Sequence, residues 1–174
     1  MKHIFMETTV KLYSLSYRDT KTYLFTLLFI AGNLIFPQLA HMIPGGGLMW
    51  LPIYFFTLIA AYKYGLRVGL LTAVLSPLAN YLIFGMPGAA VLPAILIKSA
   101  VLAVAAAYMA NRIKKVSLLA LLGVILAYQV VGTLIEWAIV KDFFVAIQDF
   151  RIGIPGMLIQ IVGGYFLLKA IAKH

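Results

Sequence analysis

The stretch from Val116 to Val140 decides the fold of this chain and reads VSLLALLGVILAYQVVGTLIEWAIV. Glu136 is its only charged side chain. A helix needs about 20 apolar residues to cross roughly 30 Å of hydrocarbon, and this run is long enough. It is continuous rather than alternating, which favours a helix over a barrel strand, and a helix satisfies its own backbone hydrogen bonds in lipid. We therefore predict a transmembrane helix here.

The composition of the whole chain agrees with this prediction. The 174 residues are 64% hydrophobic and 11% charged, and the mean hydropathy is +1.03. A soluble domain of this size could not hide so much apolar surface from water. The absence of cysteine excludes a disulfide framework and a thiolate metal site. The sequence therefore predicts an all-α integral membrane protein with one membrane domain.

Short breaks rich in Gly and Pro separate most of the apolar runs of the chain. The six predicted spans are Thr22–Met42, Leu48–Tyr64, Leu66–Phe84, Ala89–Arg112, Val116–Val140 and Ile152–Ala172. The second and third are joined only by a turn at Gly65, so the even number of spans depends on that turn. We predict a cytoplasmic N-terminal segment, residues 1–21, followed by a bundle of six transmembrane helices, residues 22–174.

The positions of the basic residues predict the orientation of the bundle, because cytoplasmic loops collect Lys and Arg. In the six-span arrangement, only Lys141 and Arg151 fall on one side, and Lys98 lies within a span. The other side holds Lys2, Lys11, Arg18, Lys21, Lys63, Arg67, Arg112, Lys114, Lys115, Lys169 and Lys173. We expect that side, with both termini, to be cytoplasmic (N-in/C-in). Anionic lipid headgroups explain the net charge of +9, so nucleic acid is not an expected partner.

Polar residues inside the spans are the candidates for function, because an ionisable group in hydrocarbon costs several kcal/mol and usually faces a cavity or a partner. Lys98 stands about nine residues from the outer end of the fourth span, roughly 13 Å deep at 1.5 Å per residue. Gln129, Thr133 and Glu136 recur at helical spacing, which places them on one stripe of the fifth span.

Two interpretations of these residues stay open. One is a ligand cavity open to the outside, in which Lys98 meets an anionic group and Glu136 a donor or cation. The other is an internal ion pair between them, with interhelical hydrogen bonds that hold the bundle together. We favour the first, because buried charge is a poor stabiliser. The candidate substrate-binding residues are Lys98, Gln129, Thr133, Glu136, Gln160, Asn33, Asn80 and Trp50.

Other polar and aromatic residues have simpler interpretations. Asp149 and Arg151 are expected to be a solvated pair in the last outer loop, with a contact to ligand as the alternative. For most of the aromatic residues near the cavity or the outer interface we expect an aromatic belt, with stacking on a flat ligand ring as the alternative; these residues are Trp50, Tyr81, Tyr128 and Trp137. No nucleophile with a base, paired carboxylates or metal-ligand spacing can be recognised. We expect no enzyme activity, no metal and no cofactor.

Three short motifs near the start of the second and third spans resemble a known family. They are Pro44-Gly45-Gly46-Gly47, Leu51-Pro52-Ile53 and Tyr64-Gly65-Leu66-Arg67-Val68-Gly69-Leu70-Leu71. With the chain length and the six-span layout, they resemble the substrate-binding S component of energy-coupling factor (ECF) transporters, which has a Gly-rich first outer loop and a Gly-x-x-x-Gly start to the third helix.

The resemblance implies a multi-pass protein of the bacterial inner membrane that captures a vitamin or related micronutrient from outside. A transmembrane T component and two ATPase subunits would be its partners, and the loaded protein would deliver the substrate by toppling in the membrane. In that family the ligand lies in the outer halves of helices four to six. The sequence by itself predicts the same region for four of the candidate residues, namely Lys98, Gln129, Glu136 and Gln160.

Two other classes of function stay open. A membrane scaffold protein of cell-envelope or cell-shape assembly would have a similar size and charge, but it has no need for polar residues at mid-depth. An ion-coupled carrier working alone is less favoured, because no internal repeat can be recognised in the sequence.

Overall fold

The computed structural model describes residues 8–9 and 12–172, and the protein is all-α, with 81% of it helical. A 3₁₀ turn, Pro52–Tyr54, leads into the third helix, and strand β1 (Thr8–Thr9) pairs antiparallel with β2 (Lys115–Val116). The helices of the described part are α1 Thr20–His41, α2 Gly46–Trp50, α3 Phe55–Tyr64, α4 Leu66–Phe84, α5 Leu92–Ile113, α6 Leu118–Val140, α7 Phe143–Ala146, α8 Gln148–Ile152 and α9 Ile154–Ala170.

Within the described residues, four helices are long and apolar enough to cross a membrane, namely α1, α4, α5 and α6. All four were predicted as spans, and α4 begins and ends at the predicted residues. Helix α6 begins two residues later than predicted, because Ser117 is its N-cap and accepts a hydrogen bond from the backbone N–H of Ala120 at 3.1 Å. Helix α9 is apolar but shorter, with 17 residues.

The second predicted span, Leu48–Tyr64, is not one helix. Leu51 lies in the left-handed region with φ of 45°, and the chain then passes through the 3₁₀ turn into α3. Pro52 explains the break, since its ring disfavours a right-handed helical conformation at the preceding residue. The predicted turn at Gly65 is confirmed, because its φ of 93° separates α3 from α4 and suits only glycine.

Helix α3 forms the centre of the bundle. Leu58, Ile59, Ala60 and Ala61 have no exposed surface, and α3 packs against α1, α4, α5 and α9. The approach to α4 is close, since a Cβ added at Gly69 would lie 2.4 Å from Cβ of Ala61. A helix buried on all sides needs no contact with lipid, which makes the irregular backbone before it tolerable in a membrane protein.

The outer faces of the long helices are apolar and exposed. Leu27 of α1, Leu82 of α4, Leu134 of α6 and Phe166 of α9 each expose more than half of their surface. Such a continuous apolar exterior over a core that contains many polar side chains is typical of a protein with hydrocarbon as its solvent.

Several chain segments meet at one end of the bundle, which we call the basic end. The backbone N–H of Tyr13 donates to the Lys63 carbonyl at 2.9 Å, and Lys63 Nζ donates to the Ala172 carbonyl at 3.4 Å. Tyr62 reaches across to the carbonyl of Lys115 in β2. The N-terminal segment, the α3–α4 junction, the turn after α5 and the end of α9 are therefore together.

Three of the basic residues assigned to this end, Lys2, Lys11 and Lys173, lie outside the described residues. The outer loops of the sequence analysis, which contain α2, α7 and α8, lie at the other ends of the same long helices. We call that side of the bundle the loop end. It contains the candidate site.

Candidate functional site

Three buried charged side chains meet near the loop end, and we call them the Lys98 triad. Lys98 Nζ lies 2.6 Å from Oε2 of Glu136 and donates a hydrogen bond to Oδ2 of Asp149 at 2.7 Å. Lys98 is 2% exposed, and Glu136 and Asp149 are each 6% exposed. The predicted neighbours Lys98 and Glu136 therefore contact each other, and a third residue joins them.

Three different helices supply the triad. Lys98 lies six residues after the start of α5, about 9 Å from that end, so it is shallower than the sequence analysis placed it. Glu136 lies four residues before the end of α6, and Asp149 belongs to the short helix α8. Gly132 makes room for the lysine stem, since a Cβ there would lie 2.6 Å from Cγ of Lys98.

The triad contains one more negative charge than positive charge. Both carboxylates face the same ammonium group, and within the described residues they have no other cation as an ion-pair partner. Arg151 is exposed and forms no ion pair with Asp149 among these residues, so the expected solvated pair is wrong. The expectation that Lys98 waits for an anionic ligand also loses its basis, because two carboxylates already surround it.

A chain of neutral hydrogen bonds lies beside the triad on α6 and α9. Gln160 Nε2 donates to the Leu51 carbonyl at 3.4 Å, and Gln160 Oε1 accepts from the hydroxyl of Tyr128 at 3.0 Å. The Tyr128 oxygen in turn accepts from Nε2 of Gln129 at 3.2 Å. The carbonyl can only accept, so it fixes the direction of the whole chain. Tyr128 is fully buried, so the expected place in an aromatic belt is wrong for this residue.

Among the described residues, three buried oxygens on the predicted α6 stripe have no hydrogen-bond partner, namely Gln129 Oε1, Thr133 Oγ1 and Glu136 Oε2. The last of these is ion-paired with Lys98 Nζ at 2.6 Å, so only the first two lack any polar partner. A buried polar atom without a partner costs about 1–3 kcal/mol, and such atoms in native proteins usually have a specific reason. The stripe of Gln129, Thr133 and Glu136 is buried along its length, as the helical spacing predicted. Glu136 alone of the three lines a cavity described below.

Two adjoining cavities lie under the loop end. The smaller, of about 100 Å³, has all three triad residues and Tyr54 in its wall, and we call it the triad cavity. The larger, of about 250 Å³, is the outer cavity, and its polar wall residues are Gln38, His41 and Asn80. The two share the wall residues Gly47, Leu48, Ile53, Val91 and Ile95. Most of the remaining wall is apolar, as is usual for small-molecule sites.

Helix α2 covers both cavities, and its glycines allow this position. A Cβ added at Gly46 would lie 2.0 Å from the Ala40 carbonyl oxygen, so only glycine lets α2 fold back on the end of α1. In the same way, the lack of a side chain at Gly156 lets the backbone of Trp50 lie close to α9. Trp50, a predicted binding residue, is partly exposed and does not line either cavity. Its backbone, not its ring, joins α2 to α9.

Asn80 lines the outer cavity with a defined orientation. Its Nδ2 donates to the carbonyls of Asn33 at 2.8 Å and Ser76 at 3.0 Å. Both partners can only accept, so the amide nitrogen must face them. Asn80 Oδ1 is then left buried without a partner among the described residues. This predicted residue of the cavity wall is therefore a packing residue with one buried acceptor left unpaired among the described residues.

Asn33 has a structural role that needs no ligand. Its Nδ2 donates to the hydroxyls of Thr57 and Ser76, each at 3.1 Å, and its Oδ1 accepts from the backbone N–H of Phe56 at 3.2 Å. The side chain is fully buried between α1, α3 and α4 and does not line either cavity. For this residue, interhelical hydrogen bonding is the interpretation that the contacts support.

Sequence reasoning missed Tyr54, and it gave Asp149 a contact to ligand only as the alternative, without placing it beside Lys98. Asp149 lies in a loop helix of five residues, where no periodicity points inward. The one available signal was that a buried Lys needs carboxylates near it. Among the described residues, no group of three or more His, Asp or Glu side chains could hold a metal ion.

Comparisons with known proteins give no further identification, since no family model matches the chain and no curated protein or solved structure shows significant similarity to it.

Replacing Lys98 by Met should strongly destabilise the protein, because it leaves two buried carboxylates without their cation. Removal of one partner from a buried ion pair typically costs about 3–5 kcal/mol. The measurement is the thermal unfolding midpoint of the purified protein in detergent. The control is the triple variant Lys98→Met/Glu136→Gln/Asp149→Asn, which removes all three charges and should recover much of the loss. A triple variant as unstable as Lys98→Met would show that charge is not the cause.

Proposed function

We propose that this chain is the substrate-binding S component of an ECF-type transporter, which captures a vitamin or related micronutrient for ATP-driven import. The observation that carries the proposal is the Lys98 triad in the wall of a cavity near the loop end. Buried ionisable groups inside a membrane bundle mark substrate or ion pathways more often than they stabilise the fold. The Gly-rich segment at Gly45, Gly46 and Gly47, on which the resemblance partly rests, leads into the helix that covers this cavity.

The proposal includes six crossings, with both termini in the cytoplasm of a bacterial cell and the loop end outside. Helices α3 and α9 would be the two shorter crossings. The 17 residues of α9 extend about 25 Å, close to the hydrocarbon thickness. Helix α3 is shorter but buried on all sides, and the 3₁₀ turn before it lengthens the crossing. The basic end then faces the cytoplasm, as the positive-inside rule expects.

The proposed partners are a transmembrane T component and two ATPase subunits at the cytoplasmic side. The sequence contains no Walker motif, so energy for uphill transport must come from another subunit or from an ion gradient. Membrane lipid contacts the remaining apolar surface. In this arrangement the chain itself performs no chemical reaction and needs no cofactor.

The orientation is tested by single cysteines, since the chain has none of its own. Phe144→Cys is in the exposed α7 at the loop end, and Arg112→Cys is in the exposed last turn of α5 at the basic end. A membrane-impermeant maleimide should label Phe144→Cys in intact cells and Arg112→Cys only after lysis. The opposite pattern, or equal labelling of both, contradicts the proposed orientation.

The transport function is tested in the native host with a tagged chain. Affinity purification should recover a multi-pass membrane protein and two ATPases together with the chain. Cells should also take up at least one labelled compound from a mixture of water-soluble vitamins. The variant Lys98→Ala should lower this uptake by more than about tenfold, since it removes the centre of the site. The control Lys141→Ala, in an exposed loop, should leave uptake unchanged.

The alternative is a scaffold protein of the cell envelope, and one observation favours it. The triad and the Asn33 cluster join α1, α3, α4, α5, α6 and α8 through internal contacts, as a purely structural core would. In a scaffold, Lys98→Ala would reduce the amount of folded protein and the recovery of envelope partners. Loss of folded protein and of envelope partners in Lys98→Ala, with the uptake of every vitamin by the cells unchanged, would leave the scaffold as the better account.

A further inference from the structure

The chemical class of the substrate follows from the charges and hydrogen-bonding atoms of the two cavities, and this step rests on the proposed binding function. The first observation is the surplus negative charge of the Lys98 triad. Two carboxylates share one ammonium group at 2.6 and 2.7 Å, and all three residues are at least nine-tenths buried. An uncompensated charge in such a place is costly unless it is paired.

Within the described part of the chain, no second cation is in a position to pair with this charge. Among the described residues, Lys98 is the only Lys, Arg or His in the wall of the triad cavity. The outer cavity adds only His41, whose side chain belongs to an exposed residue at the end of α1. The surplus charge therefore faces a cavity in which a cation from outside could lie.

The second observation is the orientation of Asn80 in the outer cavity. Two carbonyl oxygens hold its amide nitrogen, so the free buried atom, Oδ1, can only accept a hydrogen bond. Gln38 also has a buried nitrogen without a partner among the described residues. Its terminal amide can turn to present either oxygen or nitrogen, so it adapts to a ligand and does not select one.

We infer that the substrate is an organic cation with a largely apolar body. Its positively charged N–H group would lie against Glu136 and Asp149 in the triad cavity. A second N–H donor on its body would donate to Oδ1 of Asn80 in the outer cavity. The shared apolar wall, which includes Leu48, Ile53 and Ile95, would hold the body between these two points.

A ligand of the opposite charge fits the same site poorly. A carboxylate or phosphate group in the triad cavity would meet two carboxylates and an ammonium group that is already engaged by both. In the outer cavity the same anionic group would meet another acceptor, Asn80 Oδ1. A neutral ligand would leave the surplus charge as it is. The charge of the ligand is therefore the property to test.

Three isosteric probes separate these cases: benzamidine, which is cationic at neutral pH, benzamide, which is neutral, and benzoate, which is anionic. Each is added at up to millimolar concentration to the purified protein, and the thermal unfolding midpoint is followed. Benzamidine should raise the midpoint and bind at least about tenfold more tightly than benzamide. The reason is that a charge-assisted hydrogen bond in a buried site is stronger than a neutral one. Equal or tighter binding of benzoate or benzamide overturns the inference, and so does binding of none of the three.

The protein without ligand provides a second, independent readout. The variants Asp149→Asn and Glu136→Gln each leave one carboxylate for the ammonium of Lys98, and should raise the unfolding midpoint by about 2–4 °C. The same variants should lose the preference for benzamidine over benzamide. A midpoint lowered as far as in Lys98→Met would show that both carboxylates stabilise the fold, and would overturn the inference.

The outcome for transport is separate from the outcome for charge. If cells import an anionic or neutral vitamin through this chain, the proposed function stands and the substrate class is wrong. If benzamidine binds with the expected preference but neither ATPases nor a multi-pass partner are recovered with the chain, the cationic site stands and the transporter assignment fails.

Discussion

One ammonium group held between two buried carboxylates is the interaction on which this site depends. Lys98, Glu136 and Asp149 come from α5, α6 and α8, so a single cluster fixes the loop ends of three elements relative to one another. Neither carboxylate could remain buried and charged without the ammonium group, and the ammonium group needs at least one carboxylate. Gly132 must stay small for the lysine stem to pass, which extends the constraint to the packing of α6 on α5.

The centre of the bundle explains how the cavities at the loop end form. Helix α3 is tightly enclosed, and Gly69 allows its close approach to α4. On the loop side of α3, Pro52 and the left-handed Leu51 interrupt the helix and turn the chain. Helix α2 therefore covers the two cavities without filling them. A continuous helix over Leu48–Tyr64 would not bring Leu48 and Ile53 to the wall of the same cavity in this way.

The sequence predicted those parts of the fold that depend on hydropathy and helical spacing. The four long apolar helices, the turn at Gly65 and the buried stripe with Glu136 are confirmed, because continuous apolar runs and a 3.6-residue period determine them. The break at Leu51 was not predicted, because hydropathy contains no information about backbone dihedral angles. The burial of Asp149 was not predicted, because a loop helix of five residues is too short for its buried face to be recognised from helical spacing. Its burial depends on the distant Lys98.

The central claim is that the Lys98 triad forms part of a small-molecule site and is not only a structural cluster. The most direct measurement is mass spectrometry of the small molecules that co-purify with the protein from its native host, compared with those from the triple variant Lys98→Met/Glu136→Gln/Asp149→Asn. The account predicts a cationic compound that the wild-type chain retains in stoichiometric amount and the folded triple variant lacks. Identical small-molecule content of the two proteins would contradict it.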